Sequence, residues 1–204
     1  MPYLIEALAH TDVSVQEPAA ELLGQIGEPA INPVMTALLD PKQEEGALLA
    51  LQHLPLPPEK PVEDYARAAV SRAVEYDGLM RAVQPRARQS EAVSLLVESL
   101  HKKSNQYSIR ALRAIGLLGD REAMGLAIDV LNTRNSTQRA NMIEALESTN
   151  TRWRRILQPL TQLWEDDSTS TSNREVGWQR LLADEDPWIR DCALFAAHTL
   201  GEKK

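Results

Sequence analysis

The segment from Asp12 to Gly27, Asp-Val-Ser-Val-Gln-Glu-Pro-Ala-Ala-Glu-Leu-Leu-Gly-Gln-Ile-Gly, returns along the chain, and a chain made of such returns has few folds open to it. Asp12 is an N-cap residue, able to accept from an orphan N–H at the start of a helix. Val15, Ala19, Leu22, Leu23 and Ile26 follow at helical spacing and predict one apolar stripe. Gly27 is placed to end that helix in the left-handed conformation, and Pro29 to open the next at its first turn. Echoes lie at offsets of 28 (Asp40 to Pro55), 92 (Ser104 to Gly119), 123 (Asn135 to Asn150) and 174 (Asp186 to Gly201). The interval from 28 to 92 holds two repeats of 32, so a degenerate repeat is expected between them. A period near 30 built from two helices is the signature of an all-α fold of the α-solenoid kind, antiparallel helix pairs stacked in a superhelix. At 204 residues the chain has room for about five to six pairs, read as a single domain over 1–204.

The intervening stretches follow the same logic. Pro2 to Ala9 predicts a short helix with Leu4, Ile5 and Leu8 inward, standing where the second helix of a pair belongs. Ala30 to Leu39 is the second helix of the first complete pair. The run Leu54 to Pro61 holds four prolines in eight residues, which predicts an extended break at 55–61. A long helix over 62–83 follows, with Tyr65, Ala69, Ala73, Tyr76 and Met80 at helical spacing and Arg81, Arg86 and Arg88 towards its C-terminal end. Ser90 to Leu100 predicts a helix paired with another over 105–118; helices over 121–131, 136–148, 152–164, 173–182 and 187–200 complete the series. Pro159 is expected to kink the helix over 152–164. Residues 165–173, rich in Ser and Thr, read as a flexible loop. The lone helix at the start reads either as the cap of the array or as the ragged edge of a segment of a longer chain, and the Gly-Glu-Lys-Lys end suits the second.

The echoes resemble HEAT repeats, particularly the short bacterial form known from phycobilisome lyases. Asp186-Pro187-Trp188-Ile189-Arg190 with Ala193, Ala197 and Gly201 carries that likeness, as do Asp12, Val15, Ala19, Ala20, Leu23, Gly24 and Gly27. The Arg that follows the β-branched residue is present as Arg139 and Arg190 but is Gln16, Glu44 and Ser108 elsewhere, so those copies depart from the pattern. More weakly, Gln138 to Glu147, Arg154 to Leu160 and Asp186 to Arg190 resemble the HEAT segment of large bacterial nucleotide-translocase-like membrane proteins. That likeness implies a cytosolic linker or regulatory domain whose partners include flanking domains of the same chain.

Composition narrows the function. Ala and Leu supply the packing, since aromatic residues are only 4% of the chain and hydrophobic ones 43%. No run approaches the length of a membrane span, and no secretory signal opens the chain. The single cysteine, Cys192, rules out an internal disulfide framework and suits the cytoplasm. Net charge is −7, and residues 1–60 hold 2 basic against 9 acidic side chains, a poor match for nucleic acid.

Little in the chain has the spacing of chemistry. His10, His53, His101 and His198 are scattered, with none near Cys192, so no metal is expected. Gly24-Gln-Ile-Gly27 and Gly116-Leu-Leu-Gly119 end helices and do not form phosphate loops. Glu44-Glu45, Asp166-Asp167 and Asp184-Glu185-Asp186 read as solvated carboxylates at helix starts. Trp188 reads as structural, stapling the start of its helix. No catalytic residue and no cofactor is expected. The most suggestive cluster is Arg152-Trp153-Arg154-Arg155 with Gln158, Gln162 and Trp164, because Trp and Arg are enriched at binding hot spots. Trp153 and Trp164 fall on the core stripe, leaving Arg152, Arg155 and Gln162 as candidate partner-binding residues, on the concave face if the resemblance holds.

Three classes follow. The first is a non-catalytic protein-interaction scaffold whose concave face grips another polypeptide. The second, implied by the lyase resemblance, is an accessory subunit handling a bilin, with Arg152 and Arg155 as the available propionate anchors. The third is a nucleic-acid binder of the alkylpurine-glycosylase kind, against which the acidic balance argues.

Overall fold

The computed structural model describes residues 1–55, 57–119, 121–131, 136–148, 150–165 and 177–201, and every regular element among them is helical. Part of the proline-rich break (Leu56), most of the expected loop at 165–173, the Asp166-Asp167 pair, residues 173–176 and the last three residues lie outside the described set. Among the described residues no helix is long and apolar enough to cross a membrane. The chain divides into two compact units, Met1–Arg67 with Arg110–Asn132, and Ala68–Ile109 with Thr133–Lys204.

In the first unit, α1 (Pro2–Ala7), α2 (Val13–Ile26), α3 (Glu28–Ala37) and α4 (Glu44–His53) follow in quick succession. Asp12 caps α2 as its sequence predicts, its carboxylate accepting from the Ser14 N–H at 2.9 Å. That bond lowers the Asp12 pKa. Gly27 ends α2 at φ 74°, ψ −139°, a positive-φ region open only to glycine rather than the left-handed helical well expected. Next-but-one helices pack together here: α2 lies against α4, and α1 against α3. Small residues set that spacing. A Cβ on Gly46 of α4 would collide with the backbone of Leu8, and one on Gly24 of α2 would come within 2.6 Å of His53 Cβ.

The buried face of α2 is Gln16, Ala19, Ala20 and Leu23, whereas Val15, Leu22 and Ile26 are exposed. The predicted stripe therefore splits in two. Gln16 belongs to the buried half because its side-chain amide donates to the carbonyls of Leu8 (3.1 Å) and His10 (2.7 Å), closing the α1–α2 turn. Each fully buried leucine in this core (Leu23, Leu48, Leu51) contributes about 2 kcal/mol.

Two long helices run through both units: α5 (Glu59–Val83) and α6 (Glu91–Leu118), linked by a short 3-10 helix (Gln84–Gln89). α5 begins three residues earlier than its sequence suggests. Pro61 falls in its first turn, where the missing N–H costs nothing. The paired helices expected at 90–100 and 105–118 are one continuous helix. No Gly or Pro interrupts residues 91–115, and Ser104, which aligns with the capping Asp12, donates its hydroxyl to the carbonyl of Ala73 at 2.9 Å. α7 (Arg121–Leu131) completes the first unit, and Arg121 donates to the Gln52 carbonyl at 2.8 Å.

In the second unit α8 (Ser136–Glu147) packs on α9 (Thr151–Glu165), and α10 (Trp178–Leu182) on α11 (Pro187–Leu200). Tyr76 and Val83 of α5, Val93, Leu96 and Leu100 of α6, Leu181 of α10 and Ile189 and Ala193 of α11 form one core. Asp186 caps α11 through the Trp188 N–H at 2.9 Å, and Gly201 ends it in the left-handed well at φ 70°, ψ 18°.

Candidate functional site

The face of α9 is set by what it buries. Trp153, Ile156, Leu157, Leu160 and Trp164 turn inward, as the periodicity predicts, joined by Thr161. Arg152, Arg155, Gln158, Pro159 and Gln162 are consequently exposed along the opposite side. The three candidate residues, Arg152, Arg155 and Gln162, thus share one exposed helical face. The Arg152 guanidinium lies 5.1 Å from the ring centre of Trp153, a cation–π contact that holds its aliphatic stem against the helix. Its backbone N–H is capped by Asn150 Oδ1 at 2.9 Å. Arg155 and Gln162 make no hydrogen bond or ion pair among the described residues. Arg154, which points elsewhere, reaches the Glu147 carbonyl at 3.4 Å.

Pro159 lies on this face too. It lies inside a continuous helix, at a usual cost of about 3 kcal/mol, and has no N–H to offer the carbonyl of Arg155 one turn before it. α9 thus presents cationic side chains and an amide along one exposed face.

Two polar clusters escaped the sequence reading. In the first unit, Glu44 of α4 accepts from the Tyr65 hydroxyl of α5 at 2.6 Å and pairs with Arg110 of α6 at 2.7 Å. Glu45 pairs with Arg110 at 3.3 Å and with Arg113. Burial, then the adjacent Glu44 carboxylate, pushes the Tyr65 hydroxyl pKa up. Burial alone would lower Arg110, but Glu44 and its neighbours outweigh it and the net shift is upward. Glu44 is therefore not the solvated carboxylate its position suggests; only Glu45 is well exposed.

In the second unit, the fully buried Asp184 accepts from the Tyr76 hydroxyl at 3.0 and 3.1 Å, from Arg180 at 3.0 Å and from the Asp186 N–H at 2.9 Å. Arg180 also binds Glu75 at 2.6 Å, and Arg72 donates to both oxygens of Glu185 at 3.0 Å. The Tyr76 ring stacks on Tyr107 at 5.7 Å, and its hydroxyl is pushed up by burial and then by Asp184. Asp184 corrects the expectation of a solvated acidic run. The cue available in the sequence was its position just after an apolar helix, Trp178–Leu182, where a carboxylate can accept turn N–H groups.

The remaining sequence candidates are quieter. Trp188 is 57% exposed, its indole N–H donating to Ser99 Oγ at 3.0 Å. Cys192 is buried 3.8 Å from the same hydroxyl, and burial pushes its thiol up. His10 accepts from the Asp12 N–H at 3.0 Å. Among the described residues no three His, Cys, Asp or Glu side chains gather as a metal site. No protein-family model, curated protein or solved structure matches the chain.

Proposed function

We propose that the chain is a non-catalytic protein-interaction scaffold, an α-solenoid of helix pairs that binds a partner polypeptide through the α9 face bearing Arg152, Arg155 and Gln162. The next-but-one packing of α1 on α3 and α2 on α4 supports the solenoid reading, since stacked pairs bring like helices together. The observation that carries the binding site is the alignment on one exposed face of Arg155 and Gln162, neither of which has a polar partner among the described residues, beside a cation–π-braced Arg152. An exposed arginine held against a tryptophan loses little conformational freedom on binding, a property of hot-spot residues. The two buried polar clusters fit a bracing role: their charges neutralise one another and tie helices together.

Affinity capture with the wild-type chain and with Arg152→Glu/Arg155→Glu tests the site, with Arg88→Glu as a single charge reversal elsewhere. Recovery of a partner by wild type and Arg88→Glu, lost in the double variant, is expected. Equal recovery by all three refutes the α9 assignment.

A further inference from the structure

The charge on α9 runs against the field of its own helix. It opens with Arg152, Arg154 and Arg155, has no carboxylate in its first turn and no base in its last, and its single carboxylate is Glu165 at the far end. A helix dipole favours the opposite placement, carboxylates first and cations last. Three arginines against one glutamate also set α9 apart within a chain whose net charge is −7. Arg154 turns aside to the Glu147 carbonyl, whereas the exposed Arg155 has no polar partner among the described residues. The stability of the helix does not explain this arrangement; an anionic partner laid along the face does.

The rest of the face says what kind of anion. At 3.6 residues per turn, Arg152, Gln158 and Gln162 each lie within about 60° of Arg155 around the helix. The Gln158 and Gln162 side chains are exposed and, like Arg155, have no polar partner among the described residues. Each glutamine amide offers donors and an acceptor, the complement of a peptide group. The two stand about 6 Å apart along the axis, and an extended chain repeats a peptide group in the same orientation about every 6.6 Å. Arg152 and Arg155 stand about 4.5 Å apart along the axis just before them, and a guanidinium can hold a carboxylate through two N–H groups. No large apolar side chain of α9 is exposed to enter a bilayer, and glutamines supply no charge to hold a phosphate backbone. Resting on the α9 reading above, we infer that the partner segment this face takes is an extended acidic peptide, its Asp or Glu side chains on Arg152 and Arg155 and its backbone on Gln158 and Gln162. Charge then selects the partner and the glutamines fix its path along the helix.

The test uses the full chain and fluorescent, end-capped peptides of about 12 residues, longer when extended than the face itself. One alternates Glu with Ser, a second Gln with Ser, and a third Lys with Ser. The Glu-Ser peptide is expected to bind at least about tenfold more tightly than either of the others, and to weaken as salt is raised. Arg152→Glu/Arg155→Glu should transfer the preference to the Lys-Ser peptide, while Arg88→Glu leaves it unchanged. Gln158→Ala/Gln162→Ala should weaken the Glu-Ser peptide several-fold. All these positions on α9 are exposed, and Glu suits this end of the helix dipole better than Arg, so the variants should keep the thermal midpoint of the parent. Equal binding of the Glu-Ser and Gln-Ser peptides, or Glu-Ser binding unchanged by either double variant, overturns the inference. So does an oligothymidylate of equal charge that binds as tightly as the Glu-Ser peptide, which assigns the arginines to phosphate. Self-association abolished by Arg155→Glu overturns it too, assigning the face to a second copy. If the peptides are not discriminated but partner capture is still lost in Arg152→Glu/Arg155→Glu, the acidic segment falls and the α9 site stands; if capture is also unchanged, both fall.

Discussion

Removing the Asp184 carboxylate should destabilise the chain more than any other single polar deletion in the second unit. In Asp184→Ala the Tyr76 hydroxyl, buried under its own ring stack, loses its acceptor and is left unsatisfied, which costs about 1–3 kcal/mol. Arg180 is one-third exposed and keeps Glu75 at 2.6 Å, so its share is that of a surface pair, at most about 1 kcal/mol. The Asp186 N–H loses a capping bond of about 1 kcal/mol. Together these give about 3 kcal/mol. Tyr76→Phe alone should cost about 1 kcal/mol, because Asp184 retains two donors. Urea unfolding followed at 222 nm, applied to both single variants and the double, yields the coupling energy. About 1–2 kcal/mol is expected, with the double variant less destabilised than the sum of the singles. Strict additivity, or an Asp184→Ala cost below about 0.5 kcal/mol, the range of ordinary surface substitutions, would refute a buried, satisfied carboxylate.

Three other outcomes follow from the same geometry. Tyr65 and Tyr76 have pKa values raised above the unfolded 10.0, so their contribution is fully present below pH 10 and is lost as pH rises beyond it. Alkaline unfolding of wild type should steepen above that value, and Tyr65→Phe/Tyr76→Phe should flatten the profile. Asp186 behaves oppositely: burial alone would raise its pKa, but Lys103 at 2.5 Å and the capped N–H groups lower it below 3.8. Its stabilisation is present above pH 3.8 and lost as pH falls further, and Lys103→Met should shrink that acid-dependent loss in pH-dependent urea titrations. Gly46→Ala forces a Cβ into the Leu8 backbone and should lower stability by about 1–3 kcal/mol; a thermal midpoint matching wild type would contradict the tight α1–α4 approach.

The helices were legible where two signals coincided. Asp12 and Asp186 each stand before an apolar period, and both cap as their position predicts. The inward stripe of α9 and the exposure of Arg152, Arg155 and Gln162 also followed from spacing alone. Errors arose where the repeat register was taken to decide what only local chemistry decides. Ser104 occupies a cap position by alignment, yet nothing around it stops a helix, and its hydroxyl is spent on Ala73. The stripe of α2 gave its period correctly, but periodicity cannot say which half of a wide apolar face has a neighbour. Glu44 and Asp184 looked solvated because their partners, Arg110 and Tyr76, are 66 and 108 residues away in sequence. Pairings that distant leave no local trace.

Partner binding through α9 is tested most directly by a photo-crosslinking amino acid placed at Gln162 in the intact chain. Irradiation in cells should give one discrete heavier adduct, diminished at least several-fold by Arg155→Glu, while the same probe at the exposed Leu126 of α7 gives none. Absence of an adduct at position 162, or one indifferent to Arg155→Glu, would contradict the assignment.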